Sequence, residues 1–135
     1  MPVGVGVLGF AHGHIGPYLT RWREQPELGV QARAGWDHDP QRLEQSTQQF
    51  GLQPVADLSE MLDRADITAV VITAETSWHA ELVERAAAAG KAIILQKPLA
   101  LTMAEADRIV QAVARHNVPF TVAWQMRVDP QNLQI

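Results

Sequence analysis

Short apolar runs alternate about six times along the chain with segments in which apolar residues recur at helical spacing. The runs are rich in Val, Ile and Leu, as strands buried on both faces are. They are Val3–Leu8, Val30–Trp36, a short run near Pro54-Val55, Ala69–Thr73, Ala92–Leu95 and Phe120–Trp124. Because strand–helix–strand units connect by right-handed crossovers, this order predicts an α/β fold: a doubly wound parallel sheet (Rossmann fold) of about six strands with helices on both faces.

The ends of the predicted helices carry residues that favour helix initiation or termination. Asp39-Pro40 is expected to begin a helix that Gly51 ends, since Asp accepts free N–H groups and Gly adopts a left-handed backbone. Thr102 and Glu105 form a capping box, in which a hydroxyl and a carboxylate satisfy N–H groups at the helix start. The helix that follows is expected to bury Ala106, Ile109, Val110 and Val113.

Composition bounds the size of the fold and its partners. A chain of 135 residues suits one domain with one core. The net charge is -4 and the only lysines are Lys91 and Lys97, so the chain lacks the positive face that nucleic acid requires. No apolar run approaches the roughly 20 residues that a membrane helix needs. With no cysteine and no basic secretory start, we expect a cytoplasmic protein without disulfides or membrane contact.

The first βα turn is the best candidate for a phosphate-binding loop. A literal G-x-G-x-x-G stands at Gly4, Gly6 and Gly9, but it leaves only Met1–Val3 for the preceding strand. The loop must follow the strand, so that N–H groups at the next helix start can meet a pyrophosphate. The predicted loop consists of Gly9, Phe10, Ala11, His12, Gly13 and His14. Because Ala11 replaces a glycine, the motif is degenerate, and a plain strand–turn–helix is the alternative.

Asp37 ends the second predicted strand, 28 positions after Gly9. An acid there can accept both ribose hydroxyls of an adenosine and repel a 2′-phosphate, which predicts NAD as the cofactor and disfavours NADP. His38 and Arg42 are nearby cationic candidates that reduce this preference. The alternative is that Asp37 only begins the turn before the next helix.

Three histidines, His12, His14 and His79, are expected at the carboxyl edge of the sheet. Imidazoles bind zinc, but no cysteine or well-placed carboxylate completes the set, so no metal site is predicted. Pyrophosphate or ribose contacts are expected for His12 and His14, and hydrogen bonding at a helix start for His79. Trp78 and Trp124 are expected near the nicotinamide, either as walls of the cofactor site or packed against a further domain.

Three segments resemble motifs of one oxidoreductase family. Val70–Glu75 with His79-Ala80-Glu81 resembles "V-x-I-A-T-P-N-x-x-H", and Gly90–Ala100 resembles "G-K-H-V-L-x-E-K-P-L-A". Val122–Pro130 is similar to "V-G-F-x-x-R-F-D-P". The family is that of glucose–fructose oxidoreductase and inositol dehydrogenase (Gfo/Idh/MocA), and the resemblance covers essentially the whole chain, in order and at matching spacing.

The resemblance implies reversible hydride transfer between NAD(P) and a sugar, polyol or related hydroxyl compound. It places Lys97 beside the nicotinamide as the catalytic lysine. Residues 1–122 are expected to form the dinucleotide-binding domain, and residues 123–135 to begin the crossover to a C-terminal substrate domain. Assembly into a homo-oligomer is also expected. The residues beyond the loop that are expected at the cofactor are Asp37, Thr73, Ala74, Glu75, His79, Gln96, Lys97 and Trp124.

The sequence departs from the family pattern in three respects. Gln96 replaces the glutamate before the lysine, and Ala74-Glu75 replaces Pro-Asn. The resemblance places a second catalytic pair, an Asp and a His, in the C-terminal domain, to which this sequence has no matching positions. The isolated chain is therefore expected to bind cofactor without turnover. Two alternatives remain: a non-catalytic Rossmann module that acts as an NAD-responsive regulator or interaction partner, and a ligand-free interaction domain.

Overall fold

The computed structural model describes residues 1–124 and 128–134. Within them, six strands pair in parallel into one sheet with the order β3-β2-β1-β4-β5-β6. The strands are β1 Val3–Leu8, β2 Val30–Trp36, β3 Gln53–Pro54, β4 Ala69–Ile72, β5 Ala92–Gln96 and β6 Phe120–Ala123. The α-helices are α1 Ile15–Glu24, α2 Pro40–Phe50, α3 Leu58–Asp63, α4 His79–Ala88 and α5 Met103–His116. The predicted doubly wound parallel sheet is confirmed.

Helices cover both faces of the sheet, and each face has its own apolar core. On one face, α1 and α2 contribute Ile15 and Leu43 to a cluster of buried residues. On the other face, α3, α4 and α5 contribute Met61, Leu82 and Ile109. None of the helices in the described ranges has the length and apolar character that crossing a bilayer requires.

The predicted helix caps are present. Asp39 accepts the N–H groups of Gln41 and Arg42 at the start of α2, and Gly51 ends that helix with φ 68°. The Thr102 hydroxyl accepts the Glu105 N–H at 3.2 Å. The Glu105 carboxylate accepts the Leu101 N–H at 3.1 Å. Local chemistry therefore determines where these helices begin and end.

The prediction that α5 buries Val110 is wrong. Val110 is 61% exposed, whereas Ile109 and Ala112 are buried. Ile109 and Ala112 stand three residues apart on one face of the helix, and Val110 is rotated from Ile109 by about 100° toward solvent. The buried stripe is thus narrower than the periodicity indicates.

Lys91 is buried at the turn between α4 and β5. Its ammonium group donates to the backbone oxygens of Arg64 at 3.0 Å and Ile67 at 2.6 Å. These two hydrogen bonds tie the turn to the segment before β4. The Lys91 side chain is only 9% exposed.

The direction of the chain across the sheet reverses between β3 and β4. From β1 the chain proceeds outward to β2 and β3, and it then returns to β4 on the opposite side of β1. In open α/β sheets, a crevice at the carboxyl ends of the two strands that flank such a switch point accommodates ligands. Here those strands are β1 and β4.

Candidate functional site

Gly9 lies at the switch point, immediately after β1. Its φ is +87°, and its N–H donates to the Trp36 oxygen at 2.7 Å. A Cβ atom at Gly9 would lie 2.4 Å from the Cα atom of Ala74 in the loop after β4. The two loops therefore approach closely only because this residue has no side chain.

The literal G-x-G-x-x-G is not a loop. Gly4 and Gly6 lie within β1, as the placement of the strand predicts. A Cβ atom at Gly4 would lie 1.8 Å from the Asp66 oxygen, so this glycine allows close backbone packing rather than a phosphate turn.

Thr73 joins the two loops that line the crevice. Its side chain is completely buried, and its hydroxyl donates to the Gly9 oxygen at 2.5 Å. The Thr73 oxygen accepts the His12 N–H at 2.9 Å. Thr73 therefore holds the Gly9–His14 loop against β4, and its hydroxyl is directed into the protein.

Asp37 organises the turn after β2. Its side chain is completely buried and accepts the Phe10 N–H at 2.8 Å, the Asp39 N–H at 2.9 Å, and Arg42 through two nitrogens at 2.8 and 2.9 Å. Burial disfavours the ionised form, but the bonds from Arg42, Asp39 and Phe10 lower the pKa of Asp37 below its ordinary value. Both oxygens already have partners, so the ribose role of Asp37 stays a prediction that requires Arg42 to move.

Phe10 is directed away from the crevice. The ring is buried in the core with α1 and α2, where it contacts the backbone of Gly35 closely enough to exclude a Cβ atom there. Only the Phe10 backbone belongs to the surface of the loop.

A charged cluster, which we call the Arg42 cluster, spans the crevice from the β2 end to the β4 end. It consists of Asp37, His38, Arg42, Glu75 and Trp78. The Arg42 guanidinium contacts Glu75 at 2.5 Å, His38 Nε2 contacts Glu75 at 2.9 Å, and the His38 ring stacks on Trp78 with centroids 4.7 Å apart. Trp78 thus lies on the side of β2, against Trp36 and His38, and its place near the nicotinamide stays a prediction.

Contacts within the cluster favour the charged forms of Asp37, Arg42 and Glu75. Bonding to Asp37 raises the pKa of Arg42. Partial burial disfavours ionisation of Glu75, but its own N–H, His38 and Arg42 together lower the pKa of Glu75. Both carboxylates are therefore ionised at neutral pH, against one guanidinium.

A second group of side chains surrounds the end of β5. Gln96 is completely buried, and its amide contacts His14 Nδ1 at 2.7 Å, while the other amide atom, Oε1, is buried without a hydrogen bond. His79 is 1% exposed, and its Nδ1 contacts the Leu99 oxygen at 3.2 Å. The expected helix-start bond of His79 is thus replaced by one that holds the Lys97–Leu99 segment, in which the Lys97–Pro98 peptide bond is cis.

Lys97 is exposed at this edge, and its charge acts on His12. Burial first, and then the charges of His14, Lys97 and His79, lower the pKa of His12. The His12 and His14 rings lie 4.6 Å apart. Neutral imidazole and ammonium therefore occupy neighbouring positions on the β1–β5 side of the crevice.

Trp124 follows β6 at the same edge. Because Gln96 pairs with Ala123 in parallel register, Trp124 and Lys97 leave adjacent strands side by side. Trp124 is 53% exposed. Gln125, Met126 and Arg127 of the resembling segment lie outside the described residues.

The bridge between Arg42 and Glu75 is not indicated by the sequence. The sequence predicts Arg42 as a cation near Asp37 and Glu75 as a residue of the cofactor site that departs from the family pattern, but nothing in their spacing shows that they meet. In the described ranges, no three His, Asp or Glu side chains are placed to hold a metal ion.

Residues 3–124 match the model of the Gfo/Idh/MocA oxidoreductase family, described as having an NAD-binding Rossmann fold. The chain is similar to a D-apiose dehydrogenase from Paraburkholderia graminis, with 38% identity over 84% of this chain and 30% of that protein. It is also similar to an inositol 2-dehydrogenase from Burkholderia cenocepacia, with 33% identity over 86% of this chain and 34% of that protein.

Among solved structures, the chain is similar to a 3-ketoreductase from Actinomadura kijaniata in complex with NADP and TDP-benzene. The TM-score is 0.83 at 26% identity, covering 99% of this chain and 41% of that one. The chain thus spans about a third of the length of the curated relatives named above.

Proposed function

The chain belongs to the Gfo/Idh/MocA oxidoreductase family, and from this premise we propose that it binds the nicotinamide dinucleotide for hydride transfer to or from a sugar, polyol or related hydroxyl compound. The family is described as NAD-binding, and the similar 3-ketoreductase structure holds NADP. The single observation that carries the proposal is the contact of Gly9 with Ala74, which brings the loops after β1 and β4 together at the switch point.

The Gly9–His14 loop fits a pyrophosphate. It leads into the N-terminus of α1, where the helix dipole favours an anion. A Cβ atom at Gly13 would meet nothing within 4 Å, so the loop faces open space there. We assign the pyrophosphate to this loop, the adenosine to the Asp37 side, and the nicotinamide to the side of Gln96, Lys97 and Trp124.

Lys97 is the proposed catalytic residue. When bound, the cofactor supplies or accepts the hydride. The Lys97 ammonium stabilises the negative charge that develops on a substrate oxygen as its proton leaves. We propose that His12, whose lowered pKa leaves its imidazole neutral, accepts a proton on this side of the crevice.

The substrate contacts are proposed to lie outside the matched region, because the chain spans 30% to 41% of its relatives. Residues 1–122 then form the dinucleotide-binding domain, and residues 123–135 begin the crossover. Sugars and polyols are the proposed substrate class, since relatives bear the names of apiose and inositol dehydrogenases. No observation favours a non-catalytic regulator.

A fluorescence titration of NADH with the purified chain tests cofactor binding. We expect saturable binding, with competition by AMP at the adenosine side. Absence of saturable binding by a folded chain contradicts the proposal. In a spectrophotometric screen of sugars and polyols with NAD, we expect no appreciable turnover by this chain, because the substrate contacts are proposed to lie outside the region matched to its relatives. Robust NADH formation that depends on Lys97 would show that the substrate contacts lie within this chain.

A further inference from the structure

Asp37 is not positioned to discriminate between NAD and NADP by itself. Its side chain is completely buried, and both oxygens are bonded to the backbone and to Arg42. A 2′-phosphate approaching the end of β2 would therefore meet the exposed members of the Arg42 cluster. Their side chains are 29% exposed for Arg42, 32% for His38 and 37% for Glu75.

Glu75 is bonded to both of the side chains that could attract a 2′-phosphate, Arg42 and His38. Glu75 Oε1 lies 2.5 Å from a guanidinium nitrogen of Arg42, and Glu75 Oε2 lies 2.9 Å from His38 Nε2. The carboxylates of Asp37 and Glu75 carry two negative charges against the single positive charge of the Arg42 guanidinium. The Arg42 guanidinium is thus paired with two carboxylates, Asp37 and Glu75. The His38 ring contacts Glu75 through Nε2 and stacks on Trp78.

We propose that Glu75 is the residue that determines cofactor specificity, by occupying Arg42 and His38 and presenting a carboxylate where a 2′-phosphate would lie. The inference rests on the proposed dinucleotide site. It places the discrimination on the loop after β4 rather than on the acid after β2. Arg42 is a positioning residue in this arrangement, since it connects Asp37 to Glu75.

The Glu75→Gln variant tests the inference, because it keeps the side-chain length and removes the charge. Dissociation constants for NADH and NADPH are measured by fluorescence for the unsubstituted chain and the variant. We expect NADPH to bind at least about tenfold more tightly to the variant, because Arg42 and His38 would then be available to hydrogen-bond the 2′-phosphate. NADH affinity is expected to change little, and the gain for NADPH should shrink at high salt.

Glu24→Gln is the matched control, since it makes the same charge change at the exposed end of α1, on the opposite edge of the sheet. It should leave the NADPH to NADH ratio unchanged. Adding Arg42→Gln to Glu75→Gln should remove the gain, with circular dichroism used to confirm that the double variant is folded.

An unchanged NADPH to NADH ratio in folded Glu75→Gln overturns the inference while leaving the dinucleotide site intact. An equal gain in Glu24→Gln also overturns it, because net charge alone would then explain the shift. If neither cofactor binds the unsubstituted chain, both the proposed function and this inference fail.

Discussion

The carboxylate of Asp37 accepts the backbone N–H of Phe10 at 2.8 Å, which joins the end of β2 to the cofactor loop across 27 residues of chain. The same carboxylate holds Arg42, which in turn contacts Glu75 on the loop after β4. One buried acid therefore connects the loops that follow β1, β2 and β4. Its effect on a ligand is exerted through the geometry of these loops.

Replacing Asp37 by Asn should destabilise the fold. The Asn amide would place a donor against the Phe10 N–H and Arg42, which are donors themselves, so we expect a loss of about 2–4 kcal/mol in the free energy of unfolding. Urea denaturation measures it. Asp107→Asn, on the exposed face of α5, is the control and should change stability by less than about 0.5 kcal/mol. Equal stabilities for the two variants would contradict the buried role of Asp37.

Replacing Gly9 by Val should abolish cofactor binding and lower stability. The reason is the Ala74 backbone, which a Cβ atom would approach to 2.4 Å, together with a φ of +87°. We expect a loss of at least about 2 kcal/mol, measured by urea denaturation and NADH titration. In Gly16→Ala the nearest atom would be 3.6 Å away, so this control should fold normally. If Gly9→Val bound NADH with wild-type affinity, the Gly9–His14 loop would not be part of the cofactor site.

Strand positions and caps could be predicted from sequence because their causes are local. The Thr102 capping box depends on residues within one helical turn. The partners of the site residues could not be predicted, because Gln96 meets His14 across 82 positions and Glu75 meets Arg42 across 33. The position of Gly9 follows from its motif. The Ala74 backbone, which leaves no room for a side chain at Gly9, belongs to the loop after β4 and is not indicated by that motif.

Stability should fall as the pH is lowered through about 6.5. Burial lowers the pKa of His79 from 6.5, so the unfolded chain binds this proton more readily than the folded chain does. The free energy of unfolding therefore decreases below that pH. His12 contributes in the same direction.

The His79→Gln variant cannot take up this proton. We expect a flatter pH dependence of stability between about pH 7 and 5, measured by chemical denaturation. His116→Gln, at the exposed end of α5, should keep the wild-type profile. If the free energy of unfolding of His79→Gln still fell as steeply with pH as that of the wild type, groups other than His79 would cause the pH dependence.

Replacing Gln96 by Leu should separate stability from cofactor binding. The substitution removes the buried Oε1 atom that has no hydrogen bond, so stability should change by less than about 1 kcal/mol. It also removes the partner of His14 Nδ1, and NADH affinity should fall severalfold. Gln96→Glu places an acceptor where the Gln96 Nε2 donor lies, so it tests whether the His14 ring can donate from Nδ1 instead. Unchanged affinity in Gln96→Leu would show that His14 needs no such support.

The burial of Lys91 has a practical consequence for chemical labelling. Because its nitrogen is bonded to two backbone oxygens, amine-reactive reagents should modify Lys97 as the accessible lysine, along with the N-terminal amine. Lys97 lies at the edge where we place the nicotinamide. The rate at which its nitrogen is acylated would then report directly on whether that edge is occupied, without any substitution in the protein.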